Sequence, residues 1–119
     1  VITSLVTGVS ISSNVLINLT SITISAGDWL LYGGYLCSPG GGTTTAVSQC
    51  APNTVSATMP DAQLTTISGS RGADTSSAYP IPTSRVSVSS STIIYLVART
   101  TFAVSTMTMS GSISARRMR

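Results

Sequence analysis

The chain reads as an all-β domain, an antiparallel β-sandwich or jelly roll, and three features of its 119 residues lead there. Apolar and polar residues alternate with a period of two from end to end, and many of the apolar ones are β-branched. No window carries the i, i+3, i+4, i+7 spacing of an amphipathic helix. Gly, Pro, Ser and Asp punctuate the pattern at short intervals, as tight connections between strands require. The length suits one core, so residues 1–119 are taken as a single domain.

Strands are expected, in order, at residues 2–6, 15–24, 29–37, 45–50, 54–58, 63–68, 85–89, 93–102 and 105–115. The first opens the chain with Ile2 and Val6. The second alternates through Ile17, Leu19, Ile22 and Ile24, and the run Ala26-Gly27-Asp28 ends it. The third begins Trp29-Leu30-Leu31-Tyr32, apolar on both faces, and stops where residues 39–42 (Pro and three Gly) form a flexible loop. The fourth, fifth and sixth are short. Residues 68–82 are rich in Ser, Gly and Pro and read as a mobile or ligand-facing loop carrying Arg71, Asp74 and Tyr79. The seventh follows at 85–89. The eighth holds Ile93-Ile94-Tyr95-Leu96-Val97, again apolar on both faces, and the ninth completes the set.

A sandwich buries one face of each strand, so the doubly apolar third and eighth strands need cover from a partner subunit, a long loop or another domain. Tyr32, Tyr35 and Tyr95 are candidate interface residues there, since a ring buries a large area while its hydroxyl keeps a polar partner. Ordinary core or rim tyrosines are the alternative. Composition points the same way. Charged residues make up 8% of the chain, whereas Ser and Thr supply about a third of it, far above ordinary usage. An exterior of hydroxyls lacks the repulsion that keeps small domains apart, which favours a homo-oligomer.

The residues for common chemistry are missing. His, Glu and Lys are absent, which removes the usual general bases, Schiff-base amines and most metal ligands. Of the three carboxylates, Asp28 and Asp61 sit at expected turns and Asp74 in the loop, so no enzyme, cofactor or metal site is expected. Cys37 and Cys50 lack a CxxC spacing; they form either a disulfide or two buried thiols. Three glycines at 40–42 are followed by no Lys-Ser/Thr pair and form no phosphate loop. Asn18-Leu19-Thr20 matches a glycosylation sequon inside an expected strand. Arg116, Arg117 and Arg119 make a terminal cluster able to contact an anion, nucleic-acid phosphates or a glycolipid among them, or to lie as a solvated end. A net charge of +3 resting mainly on that tail is thin for nucleic-acid packaging, and no run of about 18 apolar residues offers a membrane span.

Two stretches resemble a known family. Ile22-Thr23-Ile24-Ser25-Ala26-Gly27-Asp28-Trp29 is similar to the AGDW segment recurrent in C-terminal domains of bacteriophage and prophage tail-fibre-type proteins. Thr92-Ile93-Ile94-Tyr95-Leu96-Val97-Ala98, then Thr101-Phe102, and the close Ile113-Ser114-Ala115-Arg116-Arg117-Met118-Arg119 resemble the ending of such proteins. The similarity spans both ends and not the middle from Cys37 to Tyr79. It implies a virion structural jelly roll, trimeric, at a tail fibre, tail-needle knob, head fibre or decoration site, with other virion proteins and a host-surface glycan as partners. Arg71, Asp74 and Tyr79, with the loop at 38–44, are then the receptor-facing candidates. A start on Val1 would fit a shaft, propeptide or arm ahead of the domain.

Two other readings compete. A secreted carbohydrate-binding sandwich would stack Trp29, Tyr32 or Tyr35 on sugar rings. A coat protein enclosing a genome would turn its terminal arginines to the nucleic acid.

Overall fold

Among the described residues the chain forms nine strands: β1 (Ile2–Ile11), β2 (Ile17–Ile24), β3 (Gly27–Pro39), β4 (Thr44–Asn53), β5 (Thr66–Ser68), β6 (Ser77–Pro80), β7 (Ser84–Val88), β8 (Thr92–Ala103) and β9 (Met107–Arg117). The structure, a computed structural model, describes residues 1–59, 66–68 and 76–118. Asp61, Arg71, Asp74 and Arg119 lie outside the described residues.

Pairing is antiparallel throughout and nested. β1 pairs with β9, β2 with β8, β3 with β6 and β7, and β4 with β5. One long ribbon is thus doubled back at its β4–β5 tip and rolled so that successive rungs fall in alternate sheets. Two further pairings, β3 with β9 and β4 with β8, close the roll into sheets of order β1-β9-β3-β6, with β7 also on β3, and β2-β8-β4-β5. This is the double Greek key of a jelly roll. The fold class expected from alternation alone is therefore the fold observed.

The period of two decides what is inside. On β3, Trp29, Leu31, Tyr35 and Cys37 point inward; on β8, Ile94, Leu96, Ala98 and Thr100; on β9, Met107, Met109, Ile113 and Ala115, all of them buried. Leu19, Ile22 and Ile24 from β2 and Cys50 from β4 complete the layer. Gly111 also faces in, and a Cβ there would come within 2.8 Å of the Leu96 side chain and 3.0 Å of that of Leu19. A larger residue at this point would have to displace those side chains between the two sheets.

Two expected elements differ from those seen. Residues 54–58 form no strand. β4 runs on to Asn53 and then turns, with Ala57 at φ 48°, and the turn is tied outward to Asn18, whose amide donates to Ser56 Oγ (2.7 Å) and whose oxygen accepts from Ala57 N–H (2.8 Å). Conversely β6 lies within the expected loop 68–82, because Tyr79 finds a ring partner in Tyr35 across the β3–β6 pair. Propensity alone does not reveal either, since both are set by contacts distant in sequence.

Candidate interaction surface

The interior offers little chemistry. Cys37 and Cys50 are free, fully buried thiols on strands of opposite sheets, so the thiol alternative is the one observed. Burial pushes the Cys37 thiol up, partly offset by the Thr100 hydroxyl 3.7 Å from its sulfur. Cys50 is driven higher still, by burial first and then by neighbouring Cys37. Such thiols are poor nucleophiles. Among the described residues no three His, Cys, Asp or Glu side chains gather as a metal-binding group.

The corner between β2 and β3 is held by the C-terminal strand β9. Gly27 at φ 142° lets the chain pass from one sheet to the other. Trp29 then turns inward, 5% exposed, and its indole N–H donates to Ser25 O at 2.9 Å. Across the β3–β9 pair, Arg117 donates to Ser25 Oγ (3.0 Å) and Ala26 O (3.1 Å), with its guanidinium 5.5 Å from the Trp29 ring centroid. Asp28 beside them pairs with Arg85 at 2.7 Å. Arg117 is thus committed to the corner, whereas Arg116 lies exposed on the outside of its sheet. Sequence reading did not find this clamp. Its only signal was that both participating segments belong to the stretches carrying the family resemblance.

The three candidate interface tyrosines separate. Tyr35 is inside, 3% exposed, with its hydroxyl 2.9 Å from Ser48 Oγ. Its position in the inward-facing set of β3 takes it away from any subunit contact. Tyr32 stands half-buried on the outer face of the β1-β9-β3-β6 sheet, and Tyr95 half-buried on the outer face of the other. Tyr79, placed with the receptor-facing loop by sequence, sits on β6 with its ring 5.6 Å from that of Tyr35. Burial of Trp29 and Tyr35 also leaves Tyr32 as the one ring of the proposed sugar-stacking set with exposed surface.

Nor is the glycine run a loose loop. Gly40 N–H donates to Thr106 O (2.7 Å), Thr43 N–H to Gly40 O (2.9 Å) and Thr43 Oγ1 to Thr106 O (3.0 Å), fastening this turn onto the β8–β9 connection. Beside it Val104, 81% exposed, adopts φ 93°, a backbone state disfavoured for a β-branched residue.

The outer faces differ. On the β2-β8-β4-β5 sheet, Val97 and Ala51 point outward opposite each other yet are fully buried, next to Asn18 and the 54–58 turn it holds. Arg99 on the same face donates to Gln49 Oε1 from Nε (3.0 Å) and Nη2 (2.5 Å). The outer face of the β1-β9-β3-β6 sheet carries Leu5, Ser110, Ser112, Tyr32, Gly34 and Leu36 over its middle and, among the described residues, charge at one end, in Arg116 and the Asp28–Arg85 pair. A shallow groove of about 190 Å³ crosses it, lined by Leu5, Gly34, Leu36, Ser110 and Ser112 over the backbone of Tyr35 and Gly111.

No protein-family model matches the sequence. No curated protein is significantly similar to it. Solved structures are similar in fold. A structure of infectious bursal disease virus, Gx strain, is 17% identical with a TM-score of 0.56, over 95% of this chain and 31% of that one. The VP2 subviral particle of infectious bursal disease virus is 14% identical with a TM-score of 0.56, over 95% of this chain and 32% of that one. A chain of the T13 particle of the same virus is 19% identical with a TM-score of 0.52, over 95% and 30%. The chain thus spans about a third of the length of these structures, and the likeness is one of fold.

Proposed function

We propose that this chain is a non-enzymatic structural module of a virus particle, acting by assembly with other subunits and without a cofactor. The observation that carries the reading is the nested jelly roll itself, similar over 95% of the chain to chains of a viral particle. The surface supports it. An exterior of hydroxyls with 8% charged residues suits a part held in an assembly better than a freely diffusing monomer. The chemistry supports it as well, because Asp28 is engaged by Arg85 and both thiols are buried with raised pKa values.

Within that reading the module belongs to the outer shell of the particle. A second placement, a trimeric attachment fibre or knob of a bacteriophage that meets a host glycan, is favoured by the similarity of the 22–29 and 92–119 stretches to tail-fibre-type endings. The corner where Trp29 meets Arg117 gives those stretches a common structural purpose, which is stability rather than receptor binding.

Purified particles decide the matter. Mass spectrometry is expected to find the chain at a fixed copy number per particle, and antibody labelling under the electron microscope to decorate the shell. Label confined to the tip of a tail or fibre selects the second placement. Particles without the chain overturn both.

A further inference from the structure

Among the described residues, the 54–58 turn lies over part of one outer face of the jelly roll, and no such turn lies over the middle of the other. On the β2-β8-β4-β5 sheet the 54–58 turn, held by Asn18, lies beside Val97 and Ala51. On the β1-β9-β3-β6 sheet the outward positions across β1, β9 and β3 are hydroxyls, glycine, leucines and one tyrosine, with no charged side chain between Leu36 and Tyr32 on β3 or between Thr108 and Ser114 on β9. We propose that this face is an interface for a second copy of the same chain, centred on Leu5 and the groove between Leu36, Gly34, Ser110 and Ser112. The proposal rests on the reading of the chain as an assembling module and names the surface through which it assembles.

Three features identify the occupant as another copy. The first is shape. Leu5 projects with 69% of its surface exposed, directly beside a shallow, open groove of about 190 Å³ of which it forms one wall. Knob and hole lie on the same patch, so two copies related by a two-fold axis fill both reciprocally, as isologous contacts do. Gly34 keeps the hole open: a Cβ there would approach Tyr79 O to 2.9 Å, so no larger residue is accommodated. The second is charge. A surface that meets itself repeats every charge against its own kind or its opposite, and the middle of this face has none to repel. The third is extent. The molecule measures 47 × 23 × 19 Å, so a broad face supplies on the order of the ~800 Å² per partner that a stable interface buries. Of the sequence-assigned tyrosines, Tyr32 lies on this face and Tyr95 on the opposite one.

Light scattering coupled to size exclusion, across a dilution series, tests it with three variants. Ser112→Arg places a charge at the centre of the face, opposite Gly34, where the sheet has room. Leu5→Asp removes the knob from an edge strand. Ile93→Arg, on the outer face of the other sheet and 44% exposed, is the control. Circular dichroism melting establishes that each variant is folded. The chain is expected to associate, with Ser112→Arg and Leu5→Asp each raising the dissociation constant by at least about tenfold, the effect of losing one central contact; Ile93→Arg is expected to leave it unchanged. Should Ser112→Arg fail to fold, Leu5→Asp alone decides. A chain monomeric at every concentration, unaffected association in the face variants, or dissociation by Ile93→Arg overturns the interface. Failure here is separable from failure of the virion reading. Particles that contain and assemble the face variants refute this surface only, whereas association in solution with no copies in particles refutes the virion reading only.

Discussion

Arg117 and Trp29 show how little of a residue's role is local. Trp29 is recognisable in sequence as a strand-opening ring with a large area to bury, and it is buried. Replacing it by Ala is expected to cost about 3–5 kcal/mol, read as a fall in the midpoint of chemical unfolding; an unchanged midpoint would remove it from the core. Arg117 reads as part of a charged tail because its partners, Ser25, Ala26 and Trp29, are brought to it only by the β3–β9 register. That register is invisible until the fold is known. The cysteines carry a pH prediction. Both hold their protons more tightly when folded than when unfolded, so above the usual thiol value of about 8.5 the unfolded chain releases protons that the folded chain keeps. Their stability contribution is complete below that pH and declines as pH rises beyond it. Urea midpoints at pH 7, 9 and 10 should fall in that order, and Cys50→Ala should flatten the slope; a slope unaltered by that change places its origin elsewhere. Val104, held at φ 93° at an exposed turn, is strained by its branched side chain. Val104→Gly is expected to stabilise by about 1 kcal/mol, seen as a higher melting temperature.

At the scale of elements, alternation was enough to locate the long strands because each has one face in a single core. β2, β3, β8 and β9 lie where the period of two puts them, β3 and β8 extended by one or two residues at each end, β2 starting two residues later and β9 shifted two residues toward the C-terminus. Short segments were less legible. Residues 54–58 have strand composition but no neighbour to pair with, and become the turn beside Val97; β6 has a loop's composition but pairs with β3. On the outer side of the doubly apolar β8 the cover is uneven: Val97 is buried beside Asn18 and Tyr95 is half-buried, while Ile93 stays 44% exposed. Glycines within strands tell a similar story. A Cβ on Gly33 would stand 2.1 Å from Ser112 O, and one on Gly111 would press on Leu96 and Leu19. Gly33→Ala therefore forces backbone apart at the β3–β9 pair, while Gly111→Ala meets movable side chains. Overpacking costs of about 1–3 kcal/mol are typical, with Gly33→Ala expected above Gly111→Ala in the same denaturant titration. The reverse order would mean that the core between β2, β8 and β9 is stiffer than the sheet's own backbone.

The whole molecule is governed by its nesting. Ile2 pairs with Ala115, and β2 with β8, so the outer rungs of the ribbon join the most distant parts of the chain, while among the described residues the most local rung, β4 with β5 at the tip, holds three residue pairs. Loop closure must be met before those rungs contribute, and β-sandwiches of such topology fold in about milliseconds to seconds. The same nesting brings the two ends side by side, which permits a direct test. Joining residues 119 and 1 through about six Gly and Ser residues and opening the chain between Thr54 and Val55, both exposed, keeps every strand pair but turns β1–β9 into a local hairpin, with β2–β8 the next rung out. The small β4–β5 rung becomes the most remote, and β3–β6, β3–β7 and β4–β8 lengthen more modestly, while β1–β9, β2–β8 and β3–β9 all shorten. If chain topology sets the barrier, the permutant should refold at least about tenfold faster by stopped-flow Trp29 fluorescence, and unfold at a rate close to that of the parent, since the native contacts broken are the same. Equal refolding rates would show that the barrier lies in packing the two sheets together, after the ribbon has already formed.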